Sequence, residues 1–91
     1  MPVTLTLPAV LARLADDRRR HDVTGATVGE AIGDAAGRFA ALAARLRDAA
    51  GEPYAFVTIY LNDEDVRLGG GFSTPVRDGD EIVVVPAVAG G

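Results

Sequence analysis

The sequence predicts an α+β domain of two layers, in which one main helix covers one face of one mixed β-sheet. Three observations support this fold class. Val3, Leu5 and Leu7 alternate with threonines, which is the period of a half-buried strand. One stripe of apolar residues at helical spacing follows, and the second half of the chain holds short apolar runs separated by turn residues. The length of 91 residues suits a single domain.

The segment after the first strand is the least informative part of the chain. Pro8 ends the strand, and residues 9–15 fit either a helical turn or an extended loop. Residues 16–22 read DDRRRHD, so we expect a solvated loop with His21 facing solvent. An exposed arginine cluster that binds an acidic partner is the alternative. Residues 23–24 are expected to form a short second strand.

The main helix has a clear start signal. Thr27 and Glu30 form a capping box, with a threonine at the N-cap and a glutamate three residues later. We expect a helix from about residue 28 to 38, a kink, and a shorter helical piece to about residue 48. Glycines 29, 33 and 37 argue against a single unbroken helix, because glycine destabilises a helix interior. We attribute these glycines to close packing of the helix on the sheet. The apolar stripe consists of Val28, Ile32, Ala35, Phe39, Leu42 and Leu46.

The second half of the chain predicts three further strands. Residues 56–61 form the strongest one, residues 62–64 a turn, and residues 65–68 the return strand of a hairpin. Glycines 69–71 indicate a turn, and Asp78-Gly79 a tight one. Residues 81–85 form the last strand, which Pro86 ends. The side chains expected to face the helix are Val3, Leu5, Leu7, Val57, Ile59, Leu61, Ile82 and Val84.

The composition leaves little room for catalysis within this domain. There is no cysteine, so no thiolate nucleophile and no cysteine-ligated metal are available. His21 and Ser73 are the single histidine and serine, and we expect no catalytic residue and no metal site. Acidic residues near positions 63–65 and 78–80 are typical of turns. A net charge of −4 argues against nucleic acid, and no apolar run could span a membrane, so we expect a cytoplasmic protein.

The printed sequence ends in Gly90-Gly91 soon after the last strand. We expect a domain over residues 1–86 and a flexible tail over residues 87–91, formed by Ala87, Val88, Ala89 and the two glycines. Five extended residues reach roughly 17 Å. Because glycine has no Cβ, such a tail can enter a narrow channel and deliver a terminal carboxylate to another protein's active site. A frayed terminus explains the Gly-Gly ending equally well when that feature is taken alone.

Strand alternation also predicts a surface for a partner. If Val57 and Ile59 face the helix, neighbouring side chains on the same strands point to the opposite face. Phe56, Tyr60, Val83 and Val85 would then form an exposed apolar patch near the root of the tail. The alternative is that loops cover these residues and make them part of the core.

Three segments carry a resemblance to a known family. They are the helix entry at residues 27–30, the hairpin at residues 56–67 and the ending at residues 78–91. Together they resemble the ubiquitin-like β-grasp sulfur carriers of the ThiS/MoaD superfamily, and most closely the CysO-type carriers of cysteine biosynthesis. The resemblance implies a mixed sheet of four to five strands on one main helix. It covers nearly the full chain and is weakest over residues 9–22.

The resemblance also implies a reaction cycle carried out by partner enzymes. An E1-like adenylating enzyme would use ATP and magnesium to activate Gly91, and a sulfur donor would convert it to a thiocarboxylate. A PLP-dependent cysteine synthase would accept the sulfur, and a zinc metalloprotease would release the product. Related branches serve thiamine, molybdopterin or sulfur-containing secondary metabolites. The carrier itself would bind no cofactor.

Two other functions remain open at this point. A ubiquitin-like modifier would join Gly91 to lysines of target proteins. A β-grasp interaction module would use its surface and leave the tail unreacted. The sequence contains arginine but no lysine, so the chain cannot form isopeptide polymers through its own side chains.

Overall fold

The computed structural model describes residues 2–47 and 57–86, and they form a mixed sheet with helices on one face. The strands are β1 (Val3–Thr6), β2 (Arg20–Val23), β3 (Val57–Leu61), β4 (Glu64–Asp65) and β5 (Glu81–Pro86). The helices are α1 (Ala9–Ala12), α2 (Val28–Arg38) and α3 (Ala40–Leu46). Two short 3-10 turns, Val66–Leu68 and Gly71–Ser73, connect β4 to β5.

The strands lie in the order β2-β1-β5-β3-β4. The central pair, β1 and β5, is parallel, with Leu5 opposite Ile82. The other neighbouring strands are antiparallel. In the pair of β3 with β5, Tyr60 lies opposite Val83. A mixed sheet with its helices on one side confirms the predicted two-layer α+β class.

The predicted loop over residues 16–22 is wrong, because β2 begins within it at Arg20. His21 and Val23 point into the core, whereas Arg20 and Asp22 point outward. His21 is only 4% exposed. Its Nε2 lies 2.7 Å from the carbonyl oxygen of Arg18, and its ring packs edge-on against Phe39. The charged run therefore contains an alternating strand with a histidine on its buried side.

The segment between β1 and β2 begins as a short helix. Of the two possibilities left open for residues 9–15, the structure has the helical turn, α1. Leu11, Ala12 and Ala15 are buried on the core. Asp16 and Asp17 then reverse the chain with φ of 57° each, a conformation that short polar side chains tolerate.

The α2 helix follows its prediction closely. The Glu30 N–H donates to Thr27 Oγ1 over 3.1 Å, and Glu30 Oε1 accepts from the Ala26 N–H over 3.1 Å. The helix ends at Arg38, where Phe39 takes φ −129° and ψ 89°, and α3 follows. The expected kink therefore lies at Phe39, and the helical piece after it ends at Leu46.

The helical glycines do not pack against the sheet as expected. A Cβ on Gly29 would lie 3.0 Å from Phe72, so the close approach there is to the second 3-10 turn. Gly33 would meet only the Arg47 side chain at 3.6 Å, and Gly37 has open space. The close-packing explanation therefore holds only for Gly29, and against a different partner.

The hairpin between β3 and β4 turns at Asn62 and Asp63, with φ of 48° and 71°. Two positive φ angles in a two-residue loop match the twist of the strands that flank it. The predicted return strand over residues 65–68 is wrong beyond Asp65. The Asp65 side chain accepts a hydrogen bond from the Arg67 N–H over 2.9 Å, which caps a 3-10 turn instead.

The core lies between the sheet and the helices. Seven of the eight side chains predicted to face the helix are buried, and Leu61 is partly buried against them. β5 runs one residue further than predicted, since Pro86 still lies opposite Val57. The core also includes Leu11, Ala15, Val23, Val28, Ile32, Leu42, Leu46 and Val66.

Candidate partner-binding face and root of the tail

The face of the sheet opposite the helices carries no buried residue in the described strands. The helices cover one face, so alternate side chains of every strand point away from them. This open face has an apolar centre and polar edges. Its residues are Thr4, Thr6, Arg20, Asp22, Thr58, Tyr60, Asp65, Glu81, Val83 and Val85.

Tyr60, Val83 and Val85 form the apolar centre of that face, and we name them the open-face patch. Tyr60 lies directly opposite Val83 on the neighbouring strand, and Val85 lies opposite Thr58. Val85 is 40% exposed, and the other two are partly exposed. The structure thus brings these three predicted residues together on one surface. Phe56, the fourth, lies outside the described residues.

The edges of the open face carry charged side chains. Arg20 and Asp22 both lie on β2, where Arg20 is beside Thr6. On the other edge, Asp65 of β4 lies opposite Tyr60. A protein that docks over the patch therefore meets both signs of charge along β2 and a carboxylate at β4. Such charges fix the orientation of a partner more than they add affinity.

The open-face patch lies next to the end of β5, the strand that the predicted tail follows in the sequence. Val85 directly precedes Pro86, the last described residue of β5. The predicted tail residues Val88, Ala89, Gly90 and Gly91 lie outside the described part of the chain. A partner that covers the patch would therefore stand beside the root of the tail.

Asn62 connects the hairpin to the start of β5, and the sequence reasoning missed this. Its Nδ2 donates to Asp80 Oδ1 over 3.0 Å, and its Oδ1 accepts from the Glu81 N–H over 2.9 Å. Asp80 Oδ2 also accepts from the Arg77 N–H over 2.8 Å. The Asn62 hydrogen bond, followed by that of the Arg77 backbone, lowers the pKa of Asp80. An asparagine in a predicted turn was the available signal.

The described residues do not assemble a catalytic group. His21 lies in the core against Phe39, whereas Ser73 is exposed in the second 3-10 turn. Within residues 2–47 and 57–86, no three histidine or acidic side chains gather where they could hold a metal ion. No helix in these two ranges is long and apolar enough to cross a membrane.

The profile of the ThiS family matches residues 5–91. The chain belongs to that family. It is 39% identical over 93 residues to the sulfur carrier protein CysO of Mycobacterium tuberculosis, with 100% of both chains covered. The predicted membership of the ThiS/MoaD superfamily, nearest to its CysO branch, is therefore confirmed.

Solved structures confirm the ubiquitin-like β-grasp fold. A chain of the Amycolatopsis orientalis BexX/CysO complex matches with a TM-score of 0.90 and 40% identity, covering 98% of this chain and 99% of that one. SAMP1 from Haloferax volcanii matches with a TM-score of 0.78 and 33% identity, covering 100% of both chains. The five-stranded sheet agrees with the upper end of the predicted four to five strands.

Proposed function

We propose that this protein is a sulfur carrier whose Gly91 carboxylate is activated and converted to a thiocarboxylate. The observation that carries this proposal is the similarity, over its whole length, to carriers named CysO. The position of the patch beside the root of the tail supports it, because an activating enzyme must hold the domain while it reaches the terminus. The protein then acts as a co-substrate, and its partners supply the catalysis.

The chemistry requires an activated carboxylate, because a free carboxylate oxygen is a poor leaving group. In the proposed cycle, an E1-like adenylating and sulfur-transferring enzyme binds ATP with magnesium. The Gly91 carboxylate oxygen attacks the α-phosphorus, and pyrophosphate leaves. A sulfur nucleophile at the sulfide level then displaces AMP, which leaves sulfur in place of one carboxylate oxygen. No group of the small domain is needed for either step.

The sulfur acceptor follows from the CysO branch. We propose that the thiocarboxylate sulfur forms a bond to the β-carbon of an amino acid held by a PLP-dependent cysteine synthase, and that the leaving group on that carbon departs. An acyl shift and hydrolysis by a zinc metalloprotease would then release cysteine. Another biosynthetic enzyme can use the same thiocarboxylate, so acceptors in thiamine, molybdopterin or secondary-metabolite synthesis are the competing outcomes.

The open-face patch is the proposed docking site for the activating enzyme. Exposed apolar side chains in one cluster commonly mark protein–protein contacts, and Val85 is one of three large apolar residues the described chain leaves exposed. Phe56 is proposed as a fourth member. The charges at Arg20 and Asp65 would then set the orientation of the enzyme across the sheet.

Conjugation to other proteins is the second candidate. It is favoured by the structure named small archaeal modifier protein 1 of Haloferax volcanii, which is 31% identical and covers 94% of this chain and 97% of that chain. Both functions need the same activated terminus. They differ in the nucleophile that attacks it, which is a sulfur species for a carrier and a lysine amine for a modifier.

The absence of cysteine gives a clean test. The protein is incubated with ATP, magnesium, the activating enzyme of the same organism and sulfide, and then treated with iodoacetamide. Since the chain holds no thiol, we expect alkylation at the thiocarboxylate sulfur only after activation. Mass spectrometry of a digest should then find one alkyl group, on the C-terminal fragment. Alkylation is a better readout than intact mass alone, because oxidation of Met1 adds nearly the same mass as exchange of oxygen for sulfur.

Matched controls separate the candidates. Omission of ATP should abolish the alkylated product. Deletion of Gly91 should also abolish it and should leave the fold unchanged. Transfer of the chain to cellular proteins, without alkylation, would favour the modifier. If neither the alkylated product nor a conjugate forms, the carrier is refuted, and the β-grasp interaction module is the function that remains.

A further inference from the structure

A groove that borders the open-face patch at Tyr60 also holds side chains that the proposed function does not use. It lies between the β3–β4 hairpin and the two 3-10 turns, and its volume is about 670 Å³. Tyr60, Leu61, Leu68 and Thr74 are among the residues that line it. We name this feature the hairpin groove.

Part of the lining of the hairpin groove is apolar. Val66 is buried in the first 3-10 turn, whereas Leu68, two residues later in the same turn, is 89% exposed. A leucine so exposed leaves most of its apolar area in water, which costs roughly 25 cal/mol for each Å². Thr74 Oγ1 is buried at the groove and has no hydrogen-bond partner among the described residues. The exposed Leu68 side chain favours an occupant that covers it.

The rim of the groove is acidic. Asp63, Glu64 and Asp65 follow one another around the hairpin. The Asp65 side chain already accepts a hydrogen bond from the Arg67 N–H. The Asp63 and Glu64 carboxylates make neither a hydrogen bond nor an ion pair with any described residue. The Arg67 side chain has a partner elsewhere: its Nη2 donates to the Val57 carbonyl oxygen at the far end of β3.

We propose that the hairpin groove binds a segment of a partner protein in which arginine or lysine lies next to a large apolar side chain. The cation would pair with Asp63 and Glu64, and the apolar side chain would pack on Leu68. A nucleic acid does not fit, because its phosphates would face the acidic rim. The net charge of −4 adds long-range attraction for a basic segment.

The position of the groove makes this site compatible with a bound tail. Leu61 lies opposite Ile82, whereas Val57 lies opposite Pro86 at the root of the tail. The two ends of β3 are four residues apart, which is roughly 13 Å along a strand. A partner in the groove can therefore hold the domain while the terminus enters another active site. The proposal does not depend on whether Gly91 is activated.

The direct test uses a defined peptide and the uniformly 15N-labelled full chain. The probe is a blocked hexapeptide of alternating arginine and leucine, with glutamate–leucine and arginine–serine peptides as references. We expect saturable amide shift changes confined to residues 60–69 and 74, for the arginine–leucine peptide alone. The apparent affinity should fall several-fold between low and high salt, because exposed charge pairs are screened.

Matched variants identify the groups responsible. D63N/E64Q should weaken binding roughly five- to tenfold, and D16N/D17N, which removes the same charge outside the groove, should not. Asparagine tolerates the positive φ of Asp16, Asp17 and Asp63. L68A should weaken binding by a similar factor, whereas V10A, at a 59% exposed valine of α1, should have no effect.

Several outcomes would overturn the proposal. They are an equal response to the glutamate–leucine peptide, shift changes centred on Val83 and Val85, or no change up to millimolar peptide. In the absence of peptide, amide shifts at the groove could also change with protein concentration. That result would assign the site to a second copy of the chain and would refute a basic partner. All variants should retain the dispersed amide spectrum of the unmodified protein.

Discussion

The two faces of the sheet are built from the same strands yet differ in burial. On β5, Ile82 and Val84 are 0% and 2% exposed, whereas Val83 and Val85 face away from the helices. The helix-covered face contributes its side chains to the core. The open face leaves its side chains at least partly exposed, and the proposed docking site for the activating enzyme lies there.

This division has a practical consequence, because stability and recognition can be altered separately. A side chain in the helix-covered layer contributes through burial and close packing. A side chain on the open face contributes to the free energy of unfolding mainly through strand propensity. Substitutions of one residue type at neighbouring positions of β5 thus compare the two faces directly.

The largest effect is expected for V84A. Loss of two buried methyl groups and formation of a cavity should lower the free energy of unfolding by about 2–3 kcal/mol. The matched control is V83A, the adjacent valine on the other face, which should cost less than about 1 kcal/mol. Urea denaturation followed by circular dichroism gives both values. Equal losses would mean that the open face is packed in solution.

The second comparison concerns binding rather than folding. V83A/V85A should weaken affinity for the activating enzyme about tenfold, which corresponds to roughly 1.4 kcal/mol, because both valines would be covered in the complex. Calorimetric titration of the enzyme with the folded variant measures this. The control is V10A, which removes an exposed valine from α1 instead. Unchanged affinity of the double variant would exclude the patch as the docking site.

The alternation that separates the two faces could be predicted from the sequence. It depends on a period of two within each strand, which is a local property. The flanking charges at Arg20 and Asp65 could not be assigned to the open face, because that requires the order of strands. Strand order results from pairing between distant segments, such as β1 with β5, and no local pattern encodes it.

Two errors have different physical origins. His21 looks solvated in the run DDRRRHD, but it is buried and its ring packs against Phe39, which is remote in sequence. Val66 and Leu68 share strand parity, so they look like one face of a return strand. The Asp65 side chain caps a 3-10 turn there instead, in which Val66 is buried and Leu68 is 89% exposed. A distant contact accompanies the first case and a local hydrogen bond the second.

The helix start, in contrast, was predictable because its signal is contained in four residues. T27A should lower the free energy of unfolding by about 1 kcal/mol, since the Glu30 N–H loses its acceptor. T24A is the control, because Thr24 is exposed and only its backbone N–H bonds, to Asp34. Urea denaturation gives the free energy of unfolding of both variants. A larger loss for T27A than for T24A separates the capping hydrogen bond from the general effect of replacing a threonine with alanine. A loss no larger than that of T24A would contradict the capping role.

The smallest effect is expected at the end of the sheet where Asn62 joins the hairpin to β5. The hydrogen bonds from Asn62 and the Arg77 backbone favour the ionised form, so the pKa of Asp80 in the folded protein lies below its ordinary value of 3.8. A lowered pKa means that the carboxylate stabilises the fold above that value. This contribution is lost as the pH falls through the lower, folded-state pKa.

D80N is the variant that tests this, because it keeps the shape of the side chain but cannot ionise. The melting temperature of the unmodified protein should exceed that of D80N near neutral pH. The difference should shrink steadily as the pH falls from about 5 toward 2, because Asp80 then becomes protonated in both states. D78N, which removes one charge at the neighbouring turn position, is the control for a general effect of net charge. A constant difference across this range would mean that Asp80 acts through its hydrogen bonds alone and that its charge contributes nothing to the junction.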